Sequence, residues 1–538
     1  MQSNWLLCTC WTGVCYCLNG QSARLKPRRE EDGLQITIDR TSPIPIYLQI
    51  RNQIREKIVA GVLPAGFRLP PERKLAESLG VNRSTVVNAY RELEADGLAE
   101  PHVGQGTTVR SLTHDVSPGR RETVADLAWN QLFRGEPARI REPLTRDLME
   151  LAVRDDVISL AAGMAAPELY PIEEIAEIAN EVLRDEGRSA LQYGPTEGHY
   201  PLRESISRLM ASRGSVVAPE EVLLLSGSQQ GLDLVARVFL EPGDAVVVEE
   251  PTFFCALQVF RATGARVVAA PVDSDGMRTD ILDSLLSRYR PKLIYTLPTF
   301  QNPSGATMSL ERRRQLLVLA YRYQVPVLED DPYSELRLEG EALPSLKSLD
   351  RHGHVIYLST FSKMLFPGLR IGWLAAPRLV VRQVALAKQL ADLHSNNLAQ
   401  RQIDRFLRRG LLDPHLARAR TEYRLRRDAM LQALNDLAPA GLTWNRPPGG
   451  IYLWCRLPPG AGSQRLVAAA ATQKVAFVPG EAFHPSGGGQ EYLRLNYSLH
   501  PAERIREGIL RLMAALRAVI AEDRSIEHIR DLETTPIV

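Results

Sequence analysis

The sequence predicts two folding units on one chain: a small helical unit closed by a hairpin, and a large α/β unit with a mostly parallel sheet that ends in a smaller α+β section. Three observations predict this. Between Pro43 and Asp96 apolar residues recur at helical spacing, and a Gly-tipped turn follows. After Leu160 short apolar runs bounded by Gly and Pro alternate with helical stretches, the mark of βαβ units. From about 412 to 520 long helices carry only a few strands between them. A length of 538 residues leaves room for about three such sections. At 44% hydrophobic and 24% charged, the composition excludes disordered, collagen-like and coiled-coil classes. The net charge of +2 excludes a globally basic nucleic-acid coat, so any such surface is local. No uninterrupted apolar run reaches the roughly 18 residues of a membrane span.

Residues 1–40 are expected to be an unstructured leader. Four of the six cysteines crowd there (Cys8, Cys10, Cys15, Cys17), but their C-x-C pattern departs from structural zinc spacing, and no metal is expected. The remaining two, Cys255 and Cys455, suit a reducing compartment, and a cytoplasmic location is expected. Over residues 41–110 Tyr47, Ile50, Ile54 and Ile58 line one face of a first helix that Gly61 is placed to end. A second helix is expected from about Glu72 to Leu79, stopped by Gly80, and a third from about Ser84 to Asp96, stopped by Gly97. Strand candidates 98–100 and 107–110 flank the turn Val103-Gly104-Gln105-Gly106. Residues 111–157, rich in Arg, Glu and Pro, read as a linker. Within 158–520, apolar runs at 222–225, 245–248, 293–297, 325–328 and 355–358 supply strands of a large section, about 185–410. The small section is about 411–520, and 521–538 reads as a tail.

Three helices and a Gly-tipped hairpin have the layout of a winged helix-turn-helix. The third helix opens Val81-Asn82-Arg83-Ser84-Thr85-Val86, with positive charge and small polar residues at its start. Such a start presents side chains to base edges while hydroxyl and backbone N–H groups hold phosphates. The local charge supports this weakly, with nine Lys/Arg against seven Asp/Glu in 41–110. Residues 45–109 resemble the GntR family of DNA-binding domains through Pro45-Ile46-Tyr47, the run from Arg68-Leu69-Pro70-Pro71-Glu72-Arg73 to Ala76, Gly80-Val81-Asn82-Arg83-Ser84-Thr85-Val86 and Gly104-Gln105-Gly106-Thr107. Carried over by position, the resemblance implies that Arg73, Arg83, Ser84, Thr85 and Gly104 touch DNA. The family usually has Ser where Pro71 stands. Proline is accepted at a first helical position but offers no side-chain cap.

The densest chemical signal is the run Ser359-Thr360-Phe361-Ser362-Lys363 followed by Phe366-Pro367-Gly368-Leu369-Arg370. A lysine between a buried strand and a Gly/Pro turn, with an arginine seven residues on, suits a Schiff base beside an anion. Asp330 and Tyr333 end an apolar strand, as a partner for a pyridine nitrogen and a hydrogen-bond donor to a ring oxygen require. Asn302 is a second candidate for that ring oxygen. Ser226-Gly227-Ser228-Gln229-Gln230-Gly231 follows a strand and opens a helix, where free N–H groups hold phosphate. Phe253 or Phe254 offers a ring to stack on a flat cofactor. Arg494 stands inside the apolar run Tyr492–Tyr497, where a charge demands a partner such as a ligand carboxylate.

These segments, in this order over about 158–520, resemble a class I aminotransferase of fold type I. The resemblance implies pyridoxal 5'-phosphate carried by Lys363, with Asp330 on the pyridine nitrogen, Tyr333 and Asn302 on the ring hydroxyl, and Phe254 stacked on the ring. It implies Ser228, Gln229, Ser362 and Arg370 on the phosphate, Tyr193 reaching the phosphate across a homodimer interface, and Arg494 on the ligand's α-carboxylate. Many members carry Ser where this chain has Thr360. The two resemblances together are similar to the MocR (GabR-type) subfamily of transcriptional regulators. That implies a regulator that binds promoter DNA and senses an amino acid or amine through an aldimine at Lys363. The alternative is a working transaminase with an accessory DNA-binding module.

Overall fold

The computed structural model describes residues 34–40, 42, 44–102, 106–111 and 156–534, with only the backbone from 523 onward. The early cysteines, the wing-tip Gly104 and nearly all of the expected linker lie outside the described residues. The chain divides into two compact units, one on either side of that linker.

In the first unit, helices Ile46–Val59, Glu72–Leu79 and Arg83–Ala95 bury one apolar face each. Ile50, Ile54 and Ile58 meet Leu75, Ala76, Val86, Ala89, Tyr90 and Leu93 in a single cluster. Gly80 ends the second helix at φ +61, a left-handed conformation that glycine adopts without steric cost. Pro71 occupies the N-cap position, one residue before the first helical position expected for it, and no side chain caps that end. The wing pairs Ala99–His102 antiparallel with Gly106–Val109, within a residue or two of the expected strands. A third segment joins it, since Gly66 N and Leu69 N donate to Val109 O and Thr107 O. Arg68 forms a single antiparallel β-bridge to Thr108, and residues 66–69 carry no alternating pattern that would show it.

In the second unit an eight-stranded sheet runs in the order Val222–Leu225, Gly372–Ala375, Val355–Thr360, Val327–Asp330, Leu293–Thr296, Ala245–Glu250, Arg266–Asp273, Gly276–Met277. The five strands from Val355–Thr360 through Arg266–Asp273 pair parallel. Helices cover these strands, and four strands of the sheet are buried at nearly every position, so their residues read as continuous apolar runs rather than as alternation. Gly372–Ala375 is antiparallel to both its neighbours.

A four-stranded antiparallel sheet, Thr443–Trp444, Tyr452–Arg456, Tyr492–Asn496, Val478–Pro479, forms the smaller section with the helices after Leu412. Ile158–Ser159 pairs parallel with Val475–Ala476, so the first described segment of this unit joins the small section rather than the large one. The last helix spans Ala502–Thr534, and the boundary expected at 520 falls inside it. Up to that point Ile505, Ile509, Leu512, Leu516 and Val519 form a buried apolar stripe. The helical backbone needs no such stripe to continue. Among the described residues no helix is long and apolar enough to cross a membrane.

Candidate functional site

The site forms where three strand ends of the large sheet converge. After Val222–Leu225 the chain turns at Gly227, φ +92, into the helix Ser228–Phe239. A Cβ on Gly227 would lie 2.7 Å from Arg370 Nη2, and one on Gly372 would lie 3.0 Å from Ser228 N and 2.8 Å from Ser359 O. Only glycine lets the Arg370 turn and the helix start approach this closely. Arg370 Nη2 donates to Ser226 O at 3.1 Å. Thr360 accepts from Ser362 N at 3.1 Å and donates to Ser362 Oγ at 2.9 Å. Thr360 thus does locally what a serine could do: its hydroxyl caps the short turn Phe361–Met364 that bears Lys363. Ser228 is half-buried and Gln229 exposed at the mouth of this cradle.

Lys363 Nζ donates to Gly163 O at 2.5 Å. Burial pushes the pKa of its ammonium down; the nearby Tyr452 opposes this, and the guanidinium charges of Arg494 and Arg370 reinforce it. A depressed ammonium pKa is what a nucleophilic amine requires. Tyr452 was missed in the sequence, where it lies in an ordinary strand pattern. A Cβ on Gly163 would sit 1.8 Å from Tyr452 Oη, so the phenol lies directly against that backbone. The Tyr452 ring centroid is 3.9 Å from the Arg494 guanidinium carbon and 5.9 Å from the Tyr333 ring.

Asp330 ends its strand with only 2% of its surface exposed. Oδ2 accepts from Tyr295 Oη at 2.9 Å, while Oδ1 is buried with no partner among the described residues. Burial is the main force raising this carboxyl to about 7, with the Tyr295 hydrogen bond opposing and Asp331 and Glu249 adding to the rise. A carboxyl whose folded pKa exceeds its unfolded value stabilises the fold below the unfolded value, and that stability is lost as pH rises through the folded one. The cofactor-free protein should therefore lose stability between about pH 4 and pH 7 through Asp330. Asp330→Asn should melt higher than wild type at roughly pH 8, with the gap closing in acid. Equal pH profiles in thermal melts would remove Asp330 as the cause.

Arg494 lies in the strand Tyr492–Asn496, 2% exposed. Its Nη1 donates to Asn302 Oδ1 and its Nη2 to Ala161 O, each at 2.8 Å, and its Nε is buried without a partner. It makes no ion pair among the described residues, so no internal carboxylate neutralises it. Asn302 and Tyr333 are both buried beside it. Phe254 is 6% exposed and packs edge-on to Phe483 at 5.6 Å, within an apolar cluster that includes Ala161 and Val478. Phe253, one residue earlier, keeps part of its surface open. Tyr193 is 77% exposed; among the described residues its ring meets His394 edge-on at 5.6 Å, and its backbone N donates to Gln192 Oε1.

An amine with a lowered pKa, a buried carboxylate oxygen with no donor, a buried arginine with no counter-anion and a helix start beside Arg370 together fit pyridoxal phosphate and an amino-acid ligand. The aldehyde suits the amine, the protonated ring nitrogen the carboxylate oxygen, the phosphate the helix start, and a ligand carboxylate the arginine. Residues 155–512 match the family described as aminotransferase class I and II. The chain belongs to that family. Residues 46–109 also match the bacterial regulatory proteins of the gntR family, so this aminotransferase-family chain carries a DNA-binding unit at its front.

Among its relatives is aromatic-amino-acid aminotransferase 1 of Thermococcus litoralis, 42% identical over 73% of this chain and 95% of that one. A second is the probable rhizopine catabolism regulatory protein MocR of Rhizobium meliloti, 31% identical over 90% of this chain and 96% of that one. A solved structure, the α-aminoadipate aminotransferase LysN of Thermus thermophilus complexed with N-(5'-phosphopyridoxyl)-L-leucine, is 40% identical over 73% of this chain and all of that one, with a TM-score of 0.70.

On the DNA-binding unit Arg73, Lys74 and Ser84 are exposed and Thr85 is half-buried. Arg83 is exposed too, but its guanidinium is engaged: Nη2 and Nε donate to Glu72 Oε2 at 2.9 and 3.1 Å. Glu72 was read only as part of a motif. Nothing in a linear pattern shows that the starts of two helices face each other. Arg68 lies beside Gly106 at the foot of the wing, 3.3 Å from where a Cβ would sit.

Proposed function

We propose that this protein is a promoter-binding transcriptional regulator of MocR type whose aminotransferase unit senses an amino acid. The observation that carries this reading is the unneutralised, buried Arg494 beside Lys363 in a chain that also carries a gntR-type unit. Bound at Lys363, pyridoxal phosphate would supply an electrophilic carbon that passes reversibly from the lysine amine to another primary amine, with the lysine amine released. The chain's own groups do the rest. Asp330 would keep a proton on the ring nitrogen, its unpartnered Oδ1 accepting that N–H. Asn302 and Tyr333 address the ring hydroxyl. Ser228, Gln229, Ser362 and Arg370 hold the phosphate, with Tyr193 of a second copy completing the cradle in a homodimer. Arg494 orients the effector's carboxylate through its planar fork. Of the adjacent rings, Phe253 is better placed than Phe254 to face a cofactor, since Phe254 is already enclosed in apolar packing.

An effector shifts the DNA-binding equilibrium only by its differential affinity for the two states. Operator binding and the cofactor absorption spectrum should therefore respond to the same amino acid with one midpoint. Titration of the full-length protein, followed by both signals, tests this. A spectral change without any change in operator affinity overturns the sensor reading. The second reading, a working transaminase, is favoured by the aminotransferase relatives. The Thermococcus enzyme covers 73% of the chain, whereas the MocR relative covers 90%. Sustained transamination by the full chain, with operator binding indifferent to the substrate, would decide for it. A cytoplasmic location follows from this reading, since a promoter-binding regulator must reach DNA there.

Arg83 and Lys74 should differ in kind. Arg83→Ala is expected to cost about 1–3 kcal/mol on the operator and to relax specificity. Lys74→Ala should weaken all sequences alike and lower the salt slope by about one. Because Glu72 holds the Arg83 fork, Glu72→Gln should change base preference at the same position without loss of non-specific affinity. Equal losses on operator and random duplexes for Arg83→Ala, measured by fluorescence anisotropy, would exclude base readout by Arg83.

A further inference from the structure

A cavity of about 620 Å³ lies apart from the Lys363 site. None of the residues assigned above to cofactor or effector lines it. Its walls are Asp331 and parts of the segment from Ser334 to Ser345, the end of the helix Tyr200–Ala211, Tyr357 and Trp373 of the large sheet, and Arg420 and Arg424 of the helix Leu412–Leu437. Asp330 and Asp331 are consecutive, the first in the cofactor site and the second on this cavity's wall.

The acids here are satisfied from within. Glu335 takes Arg213 at 2.6 Å and Arg420 at 3.3 Å. Asp331 accepts from Ser334 N at 3.0 Å and from Tyr357 Oη at 2.9 Å. Arg424 is spent on Leu338 O. Two donors remain. Arg337 is half-buried with its guanidinium carbon 4.7 Å from the Phe300 ring centroid, makes no side-chain hydrogen bond or ion pair among the described residues, and its Nε is buried without a partner. Trp373 is 1% exposed and its indole Nε1 is likewise buried and unpartnered.

Buried donors left without acceptors cost free energy that a bound acceptor recovers. Both open groups are donors, and one is a planar cation resting on an aromatic face. The missing partner is therefore an anion, and a carboxylate matches the fork. The volume falls within the range of small-molecule sites and exceeds what a single inorganic ion fills.

We propose that this cavity is a second ligand site, for a small organic carboxylate held by Arg337 and the Trp373 indole N–H. The inference is independent of the role assigned to Lys363. A ligand here would brace the segment after Asp330 against the helix Leu412–Leu437, which joins the large and small sections at this wall.

The test uses full-length protein loaded with pyridoxal phosphate, titrated calorimetrically with succinate, citrate and inorganic phosphate. Carboxylate binding should weaken by roughly tenfold to a hundredfold in Arg337→Gln, and by less in Trp373→Phe, the loss expected for a charge-assisted and a neutral hydrogen bond respectively. Arg494→Gln should leave this binding in place, which separates it from the effector site. Arg337 is only half-buried and R337Q removes no existing side-chain hydrogen bond, so its fold should survive; an unchanged circular-dichroism melt checks this. Carboxylate affinity equal in wild type and R337Q, or lost only in R494Q, overturns the proposal. Inorganic phosphate bound more tightly than either carboxylate overturns the carboxylate class.

Discussion

Lys363→Ala is expected to abolish covalent attachment of pyridoxal phosphate completely. Wild-type protein should be yellow and should yield a borohydride-trapped adduct on the peptide containing Lys363. The alanine variant should lose both. The fold should persist, because the lysine's one hydrogen bond, to Gly163 O, is worth about 0.5–1.5 kcal/mol net, and its removal also relieves an amine disfavoured by burial. Neither the capped turn Phe361–Met364 nor the Arg370 contact to Ser226 depends on that side chain. Mass spectrometry of the reduced, digested protein is the deciding measurement. An adduct that survives in Lys363→Ala would place the reactive amine elsewhere and undo the site as described.

The second large effect concerns Arg494. Arg494→Lys keeps a positive charge but loses the fork, and Arg494→Ala loses both. The effector concentration for half-maximal operator response should rise by roughly tenfold to a hundredfold in the alanine variant, corresponding to one charge-assisted bond of about 1.5–3 kcal/mol. Operator affinity without effector should change little. The alanine variant also leaves Asn302 Oδ1 and Ala161 O without their donor, so stability falls as well. Arg494→Lys controls for that, since its ammonium can still reach one of them. The discriminating ligand pair is an amino acid and the same amine without its carboxylate. Wild type should prefer the amino acid strongly, and both variants should lose the preference. An undiminished preference in both variants would mean that Arg494 only ties Asn302 to the backbone, whereas an equal response of wild type and variants to the amine and to the amino acid would mean that the amino-acid effector class has to be given up.

Much of the architecture was legible because each signal was local. The helix stop at Gly80 and the strand at 222–225 are set by residues within a few positions, and backbone sterics or continuous burial enforce them. Lys363, Asp330 and Arg494 stood out for a related reason. Each is a charge set in or beside an apolar strand, and the cost of burying it signals a partner before any partner is known.

The partners themselves were not legible. Tyr295 on Asp330, Tyr452 over Arg494 and Gly163 against Lys363 come from segments 35, 42 and 200 positions away, and only the packed sheets bring them together. The same holds for Glu72, which takes the Arg83 guanidinium only because two helix starts meet across a turn. Phe253 and Phe254 look alike in sequence; both pack against the cluster around Phe483, and their burial distinguishes them, Phe254 being enclosed and Phe253 partly open. The bridge at Arg68 joins residues 66–69 to the wing through backbone bonds that need no side-chain pattern.

The sequence by itself thus determined which charges had to be answered, because dielectric cost belongs to the residue and its immediate neighbours. The tertiary structure alone decided what answers them: it fills one oxygen of Asp330 and two nitrogens of Arg494 from within, and leaves the other oxygen and the Arg494 Nε buried without a partner among the described residues. Hydrogen bonds saturate one atom at a time, and which atom is left over depends on distances that chain folding sets.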